Sequence, residues 1–241
     1  MAEQLGVVVT GGAGGIGAAI VSSLAASGYA VGVLDLAPVE AAEGVTGYQV
    51  DISDYVAVEE AMQSFQGNTG PLYGLVNNAG WDEAKPFIDS DVKLWRKVID
   101  INLYGPLNAT HIALKAMVEA GRGRIVSIAS DAGRVGSSGE SVYSAAKGGI
   151  IALMKTLARE HARQGITFNS ICPGPTDTPL LAEIDRGSGT NLVAALERAI
   201  PMKRLGKPED YPALVEYFLS DAAGYVTGQT ISVSGGLSMH G

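Results

Sequence analysis

The sequence predicts an α/β fold in which helices cover both faces of a doubly wound parallel sheet. Short apolar segments alternate with longer segments of helical periodicity along the whole chain, which is the pattern of βαβ units. The apolar segments are continuous rather than alternating, as expected for strands that are buried on both faces. A glycine-rich turn follows the first of them, and no interdomain linker is visible. We therefore expect one Rossmann-type domain over residues 1–241.

The elements are predicted in order from the apolar pattern. The strands are Leu5–Thr10, Tyr29–Leu34, Tyr48–Val50, Leu72–Asn77, Arg124–Ser130, Thr167–Cys172 and Thr230–Val233. The helices are Ile16 to a C′ stop at Gly28, Val56–Phe65, Asp91–Gly121, Val142–Gln164 and Glu209–Leu219. The third helix is expected to break near Gly105–Pro106, because proline lacks the N–H that a helix interior needs. Leu180–Leu205 interrupts the alternation and predicts an excursion over the site, with a mobile lid as one interpretation.

Composition and charge argue against several classes of function. The net charge of −8 does not fit a nucleic-acid-binding surface, and no apolar run is as long as a membrane span. Cys172 is the single cysteine and has no disulfide partner, and no signal-peptide pattern opens the chain, so a soluble cytoplasmic protein is expected. His111, His161 and His240 lack the spacing of metal ligands, so no metal site is predicted.

The first third of the chain contains no basic side chain. The first Lys or Arg is Lys85, whereas residues 1–84 carry ten acidic residues. Any anionic ligand held there must be held by backbone N–H groups. The turn Thr10–Gly17 (TGGAGGIG) can supply them, because it joins a strand to the partly positive N-terminus of a helix and its glycines let a pyrophosphate approach. Glycines alone would also fit a flexible turn, but this context favours a dinucleotide site.

Three acidic and amide motifs extend this site. Asp35 closes the second strand, 18 residues after Gly17. A carboxylate there accepts hydrogen bonds from the adenosine ribose and repels a 2′-phosphate, which predicts NAD rather than NADP; the alternative is a strand-end turn residue. Asp51 and Ile52 are expected at the adenine edge, with a helix N-cap as the alternative for Asp51. Asn77–Gly80 (NNAG) ends the fourth strand, as part of the site or as an Asn/Gly turn.

A tyrosine, a lysine and a serine form the candidate catalytic group. Tyr143 and Lys147 are four residues apart on a predicted helix and therefore share one face. A free tyrosine has a pKa of about 10, and an adjacent cation lowers it toward the range of acid–base catalysis. The pair alone is common on solvated helix faces. Ser130 changes this interpretation, because it ends the fifth strand at the sheet edge of the glycine-rich turn, where its hydroxyl could hold a substrate oxygen.

With these motifs the whole chain resembles the short-chain dehydrogenase/reductase family. The glycine-rich turn and NNAG match the family's cofactor motifs, and the 13 residues from Ser130 to Tyr143 match its catalytic spacing. The resemblance implies an NAD-dependent enzyme that oxidises a secondary alcohol to a ketone, with a catalytic tetrad of Asn102, Ser130, Tyr143 and Lys147. The implied cofactor contacts are Gly11, Gly14, Gly15, Ile16, Gly17, Asp35, Asp51, Ile52, Asn78, Ala79, Gly80, Tyr143, Lys147, Pro173, Gly174, Thr176 and Thr178.

The resemblance also implies a role for each member of the tetrad. Tyr143 removes the alcohol proton while hydride passes to the nicotinamide, and Ser130 holds the oxygen. Lys147 bonds the nicotinamide ribose and lowers the pKa of Tyr143, and Asn102 supports a water relay. The chain departs from the family pattern between its second and third strands, where the short connection predicts a shortened or missing helix.

A finer similarity suggests the substrate. Residues 78–82, 128–140, 172–178 and 232–241 are similar to 2-hydroxycyclohexanecarboxyl-CoA dehydrogenases, which implies an alicyclic or related β-hydroxyacyl-CoA. The residues expected in or beside the substrate pocket are Trp81, Asp131, Arg134, Ser137, Ser138 and Glu140. Trp81 has loop packing as its alternative. Arg134 has two interpretations, an anionic substrate group or a pair with Glu140.

Several alternatives stay open. A 3-oxoacyl-(acyl-carrier-protein) reductase would normally work with NADPH, which Asp35 disfavours, and a sugar, polyol or steroid dehydrogenase is a further possibility. A nucleotide-sensing regulator is the alternative that is not an enzyme, and the intact tetrad argues against it. The helices that carry Tyr143 and residues 105–121 have more apolar positions than one core-facing stripe requires, so we expect a homotetramer unless these residues pack inside one chain.

Overall fold

The computed structural model describes residues 4–40, 42–188 and 192–239. Seven strands form one sheet in the order β3-β2-β1-β4-β5-β6-β7, and all neighbouring pairs are parallel. The strands are β1 Gly6–Thr10, β2 Ala30–Asp35, β3 Val45–Gln49, β4 Leu72–Asn77, β5 Gly123–Ile128, β6 Ile166–Pro173 and β7 Thr230–Val233. This order reverses direction between β1 and β4, which places a ligand crevice at the carboxyl ends of these strands. The predicted fold class is confirmed.

Nine α-helices lie among the described residues. They are α1 Gly15–Ala26, α2 Tyr55–Thr69, α3 Val92–Ile99, α4 Gly105–Ala120, α5 Ala132–Val135, α6 Ser141–His161, α7 Pro179–Ser188, α8 Leu192–Ala199 and α9 Pro212–Leu219. Side chains of α2, α4 and α6 pack on one face of the sheet, and side chains of α1 and α9 pack on the other. Successive residues of β1 serve the two layers, because Val8 faces the first and Val7 and Val9 face the second.

The connection from β2 to β3 contains no helix within residues 36–40 and 42–44, as its length predicted. The predicted break near Gly105–Pro106 is confirmed in part, because the α-helical stretch is interrupted directly before Gly105. Pro106 lies in the first turn of α4, where its missing N–H costs nothing, and the irregularity is a π turn just before it, Asp100–Tyr104. The fifth strand is shorter than predicted and ends at Ile128, so Ser130 lies in the turn that follows it.

The excursion after β6 consists of α7 and α8. The predicted excursion, Leu180–Leu205, falls partly outside the described residues, and its action as a lid stays a prediction. The apolar residues that suggested a homotetramer are mostly internal: Ile150, Ile151 and Met154 of α6 are buried within the single chain. Packing inside one chain therefore accounts for much of this apolar excess, and the homotetramer stays a prediction.

Two features are absent from residues 4–40, 42–188 and 192–239. No helix there is long and apolar enough to cross a membrane. No group of three or more His, Cys, Asp or Glu side chains there is placed to hold a metal ion. His240 lies beyond these ranges.

Candidate active site

A cavity of about 960 Å³ runs along the carboxyl edge of the sheet. It is lined by all of the predicted cofactor residues except Gly17. Three members of the tetrad line it as well, while Asn102 lies behind the wall. Of the predicted substrate residues, Arg134 alone does not line it. The sequence motifs, which are far apart along the chain, thus meet at one site.

The glycine-rich turn between β1 and α1 is built for close approach. Gly11 has a φ of 67°, a conformation that L side chains rarely adopt. A Cβ atom at Gly17 would lie 2.0 Å from the Gly11 carbonyl oxygen and 2.5 Å from Asn78 Nδ2, so Gly17 supports the turn from behind. The N-terminus of α1 receives no side-chain cap, which leaves its N–H groups available to an anion.

The NNAG segment holds this turn in place. Asn78 Nδ2 donates hydrogen bonds to the carbonyl oxygens of Gly11 at 2.8 Å and Thr10 at 3.2 Å. In return, Thr10 Oγ1 accepts the backbone N–H groups of Asn78 and Ala79, both at 3.1 Å. The segment is therefore part of the site rather than an independent Asn/Gly turn. The anchoring role of the Thr10 hydroxyl was not predicted from the sequence.

Two carboxylates lie at the end of the cavity beside β2 and β3. Asp35 accepts the N–H of Ala13 through Oδ2 and that of Ala37 through Oδ1, each at 2.9 Å, so its carboxylate is fixed beside the glycine-rich turn. Asp51 accepts the N–H and hydroxyl of Ser53 at 2.9 and 2.7 Å. The N-cap interpretation of Asp51 is wrong, because the side chain of Asp54 caps α2 instead.

The cations of the cavity are at its other end. Among the described lining residues these are Lys97 and Lys147. The residues that line the cavity around Asp35 are Leu34, Leu36 and Val50. The end that would receive an adenosine ribose therefore carries negative charge and no lining cation.

Asn102 is completely buried in the π turn that precedes α4. Its Nδ2 donates to the carbonyl oxygens of Trp81 at 2.6 Å and Val98 at 2.9 Å, and its Oδ1 accepts the N–H of Trp81 at 3.3 Å. The side chain thus ties the loop after β4 to α3. A Cβ atom at Gly80 would lie 3.0 Å from Asn102 Oδ1 and 3.3 Å from Lys147 Nζ, which brings these groups to one place.

Tyr143, Lys147 and Ser130 converge as predicted. The Ser130 hydroxyl is placed to donate a hydrogen bond to the Tyr143 phenol, and Ser130 Oγ accepts the N–H of Ala132 at 3.1 Å. Lys147 is buried, its Nζ donates to the carbonyl oxygen of Ile128 at 3.1 Å, and it lies 5.5 Å from the centre of the Tyr143 ring. Burial lowers the pKa of Lys147 to about 8.

The predicted lowering of the Tyr143 pKa is not what this geometry produces. Burial raises the pKa of Tyr143, and the charges of Glu140 and Asp82 raise it further, while the hydrogen bond from Ser130 acts in the opposite direction. Lys147 is not among the groups that shift the pKa of Tyr143 in the protein alone, although with a pKa of about 8 it still carries its proton at neutral pH. In the protein alone Tyr143 is a neutral phenol.

The substrate side of the cavity includes Trp81, Asp131, Ser138 and Glu140. Lys97 Nζ lies 3.3 Å from the centre of the Trp81 ring, so Trp81 both lines the cavity and packs against a cation.

Both interpretations of Arg134 are wrong. Its Nη1 donates to Ser232 Oγ at 2.9 Å and to the Thr230 carbonyl oxygen at 3.3 Å, because α5 directs it toward the acceptors of β7. Ser232 in turn donates a hydrogen bond to Asp131.

Comparison with known proteins shows the family of this chain. A family model described as enoyl-(acyl carrier protein) reductase matches residues 11–238. The chain belongs to the short-chain dehydrogenase/reductase family. An acetoacetyl-CoA reductase of Shinella zoogloeoides is 40% identical over 235 residues, which cover 95% of this chain and 96% of the relative. A cis-4-hydroxycyclohexanecarboxylate dehydrogenase of Sinomonas cyclohexanicum is 38% identical over 241 residues, covering 95% and 94%.

Solved structures of this oxidoreductase family share the fold. The crystal structure of a variant of actinorhodin polyketide ketoreductase with NADPH matches with a TM-score of 0.91 and 30% identity over 98% of both chains. A 3-oxoacyl-(acyl-carrier-protein) reductase of Mycobacterium avium is 34% identical over 233 residues, 97% of this chain and 89% of the relative. By name these relatives act on several acyl and cyclic substrates. The finer similarity to 2-hydroxycyclohexanecarboxyl-CoA dehydrogenases therefore stays a prediction.

Two features of the site were not predicted from the sequence. The apolar wall of the cavity comes from the excursion, whose lining residues are Leu180, Leu181, Ile184, Leu192 and Leu196. The spacing of these residues is typical of amphipathic helices and could have predicted this apolar wall. Asp82 is only 6% exposed and lies close enough to affect the pKa of Tyr143. No local pattern distinguishes this buried aspartate from the exposed Glu83 beside it.

Proposed function

We propose that this protein is an NAD-dependent enzyme that interconverts a secondary alcohol and a ketone on a β-hydroxyacyl thioester, with the alicyclic acyl-CoA as the favoured substrate. The observation that carries the proposal is the convergence of Tyr143, Ser130 and Lys147 on the same cavity as the glycine-rich turn. A proton-carrying phenol and a dinucleotide cradle in one cavity fit the transfer of a proton and a hydride between one carbon–oxygen bond and a cofactor.

The residues fit a nicotinamide dinucleotide. The turn at Gly11 and Gly17 leaves no room for a Cβ atom, and α1 presents an uncapped N-terminus to a pyrophosphate. We assign the adenosine ribose to Asp35, the adenine to Asp51 and Ile52, and the nicotinamide side to residues 173–178. When bound, the nicotinamide supplies the hydride acceptor or donor.

Four side chains orient the substrate oxygen, transfer the proton and maintain the geometry of the site. Ser130 donates a hydrogen bond to the substrate oxygen and orients it toward Tyr143. Tyr143 gives its proton to this oxygen in reduction and takes it back in oxidation. Lys147 occupies the place from which it would bond the nicotinamide ribose, and its positive charge would favour the phenolate in oxidation. Asn102 holds the Trp81 loop against α3 and thereby keeps this geometry, beside the water relay that the family implies.

Replacing Tyr143 by Phe tests the mechanism. Tyr143→Phe keeps the ring and removes the proton-carrying oxygen, so we expect NAD binding to persist and turnover to fall at least about 100-fold. Tyr225 is fully exposed, and Tyr225→Phe is therefore the matched control, with unchanged turnover. Near-normal turnover in Tyr143→Phe would refute the mechanism.

The preference for NAD is proposed from charge. Asp35 places a carboxylate where NADP carries its 2′-phosphate, and no lining cation is near it. The ratio of kcat/KM for NAD and NADP in the parent protein measures the preference directly. Asp35→Ser should reduce the preference for NAD only partly. Asp35→Ser combined with Leu36→Arg should reduce this preference further, because position 36 is exposed at the cavity and the substitution places a cation there. Equal use of NADP by the parent would contradict this assignment.

The proposed substrate class draws on the relatives and the cavity wall. One relative is by name an acetoacetyl-CoA reductase and another acts on a hydroxycyclohexanecarboxylate, so acyl thioesters and cyclohexane rings both occur among relatives of similar identity. The apolar side chains that α7 and α8 contribute to the cavity would pack against the cyclohexane ring of such a substrate. A panel of 2-hydroxycyclohexanecarboxyl-CoA, 3-hydroxybutyryl-CoA and free cis-4-hydroxycyclohexanecarboxylate separates these substrates. The highest kcat/KM is expected for the alicyclic thioester, and failure of both thioesters would contradict the class.

A second candidate is a 3-oxoacyl-(acyl-carrier-protein) reductase. The neutral state of Tyr143 favours it, because a phenol that keeps its proton is prepared to donate it to a ketone. Acetoacetyl thioesters of acyl carrier protein and of CoA, each with NADH and NADPH, distinguish the two. A preference for the carrier-protein thioester with NADPH would replace our proposal, and NAD binding without turnover on either panel would point to a nucleotide-sensing regulator.

A further inference from the structure

Asp82 is a buried carboxyl group that the mechanism above does not use. It follows Trp81 in the loop after β4 and is 6% exposed. Its Oδ2 atom is inaccessible to solvent and has no hydrogen-bond partner in the part of the chain that the structure describes. An ionised carboxylate in such a place loses its hydration without compensation, so the environment favours a protonated Asp82.

The neighbour of Asp82 is a second carboxyl group, that of Glu140. Glu140 directly precedes α6 and lies three residues before Tyr143. The two carboxyl groups line the same small cavity, and a negative charge on one makes a negative charge on the other less stable, so the pair is most stable when one of its members carries a proton. The two loops are also joined by their backbones, because the N–H of Lys85 donates to the Gly139 carbonyl oxygen at 2.7 Å.

This carboxyl pair lies between the main cavity and a small cavity behind it. Asp82 lines the small cavity, and Glu140 lines both. Burial raises the pKa of Asp82 to about 7, and the charges of Glu140 and Glu83 act in the same direction. A proton held by the pair is therefore bound in the range where an enzyme works.

The charge of the pair acts on the catalytic residues. Glu140 and Asp82 both raise the pKa of Tyr143, and so does Cys172 of β6, while Asp82 also raises the pKa of Lys147. Each negative charge beside the phenol makes the phenolate less stable. When the pair loses its proton, it carries a second negative charge and this effect increases.

We propose that Asp82 and Glu140 share one proton and act as a positioning pair that keeps Tyr143 in its neutral, proton-donating form and so favours the reduction of a ketone. This inference rests on the proposed role of Tyr143 as the acid and base of the reaction. It assigns to the pair the balance between the two directions, because oxidation of an alcohol needs the phenolate and reduction of a ketone needs the phenol.

The pH dependence of alcohol oxidation tests this role. We would measure kcat/KM for 3-hydroxybutyryl-CoA with NAD from pH 6 to 10 in the parent, Asp82→Asn and Glu140→Gln. The acidic limb is the part of the profile in which kcat/KM rises with pH as Tyr143 loses its proton. Removal of one negative charge should move this limb to lower pH by at least about 0.5 unit in both variants. Glu83→Gln removes an exposed charge from the same loop, which acts on Asp82 less than Glu140 does and is not among the charges that act on Tyr143, so it should move the limb less than either variant. A limb at the parental pH in both variants would overturn the proposal.

Infrared spectroscopy tests the shared proton without turnover. The parent should show the band of a protonated carboxyl group that disappears as the pH rises through about 7. This band should be lost in Asp82→Asn and retained in Glu83→Gln. A folded parent without the band at pH 6 would overturn the proposal even if Asp82→Asn does not fold. Full turnover in Tyr143→Phe would instead refute the proposed function, while the infrared result on the pair would stand.

Discussion

Replacing Asp82 by Asn should change how the stability of the protein depends on pH. The pKa of Asp82 is raised from 3.8 to about 7, first by burial and then by Glu140. Between these values the folded state holds a proton that the unfolded state has lost. The stabilising contribution is therefore complete below about pH 4 and is lost as the pH rises through about 7. At 1.36 kcal/mol per pKa unit, its decrease from pH 5 to pH 8 is about 2 to 3 kcal/mol.

Urea unfolding at fixed protein concentration measures this contribution. The free energies of unfolding of the parent and of Asp82→Asn are compared at pH 5, 6, 7 and 8, so that groups common to both cancel. The parent should lose about 2 to 3 kcal/mol relative to Asp82→Asn across this range. Glu83→Gln removes an exposed charge that makes only a small contribution to the pKa of Asp82, so its pH dependence should stay much closer to that of the parent. A difference between parent and Asp82→Asn that does not vary with pH would refute the reasoning.

Three further predictions concern the cofactor turn and the assembly. Gly17→Ala places a Cβ atom 2.0 Å from the Gly11 carbonyl oxygen, so it should weaken NAD binding at least about tenfold, as measured by calorimetry. The control Gly67→Ala adds a Cβ atom that meets no atom within 4 Å and should leave NAD binding unchanged. Thr10→Val removes the hydroxyl that accepts the Asn78 N–H and should lower the free energy of unfolding by about 1 to 3 kcal/mol. Thr10→Ser retains this hydroxyl and should have a smaller effect. Equal effects of the two substitutions would contradict the anchoring role. A homotetramer should give four times the chain mass of 24.8 kDa by light scattering, and the mass of one chain would exclude it.

The sequence alone determined the fold class and most of the candidate site. Strand and helix periodicity is local, and so is the need for glycine in the turn from Thr10 to Gly17. The carboxyl ends of parallel strands meet at one edge, so motifs that end β1, β4 and β5 had to meet there as well. For this reason the sequence alone predicts that Asp35, Tyr143 and Lys147 belong to one site.

Tertiary structure decided what depends on burial and on side-chain direction. Arg134 had two plausible partners in the sequence, and only the position of β7 beside α5 showed that it has neither of them. The pKa of Tyr143 is raised first by the burial of its own phenol and then by the charges of Glu140 and Asp82. Desolvation is a property of the whole packed environment, and no spacing along the chain encodes it.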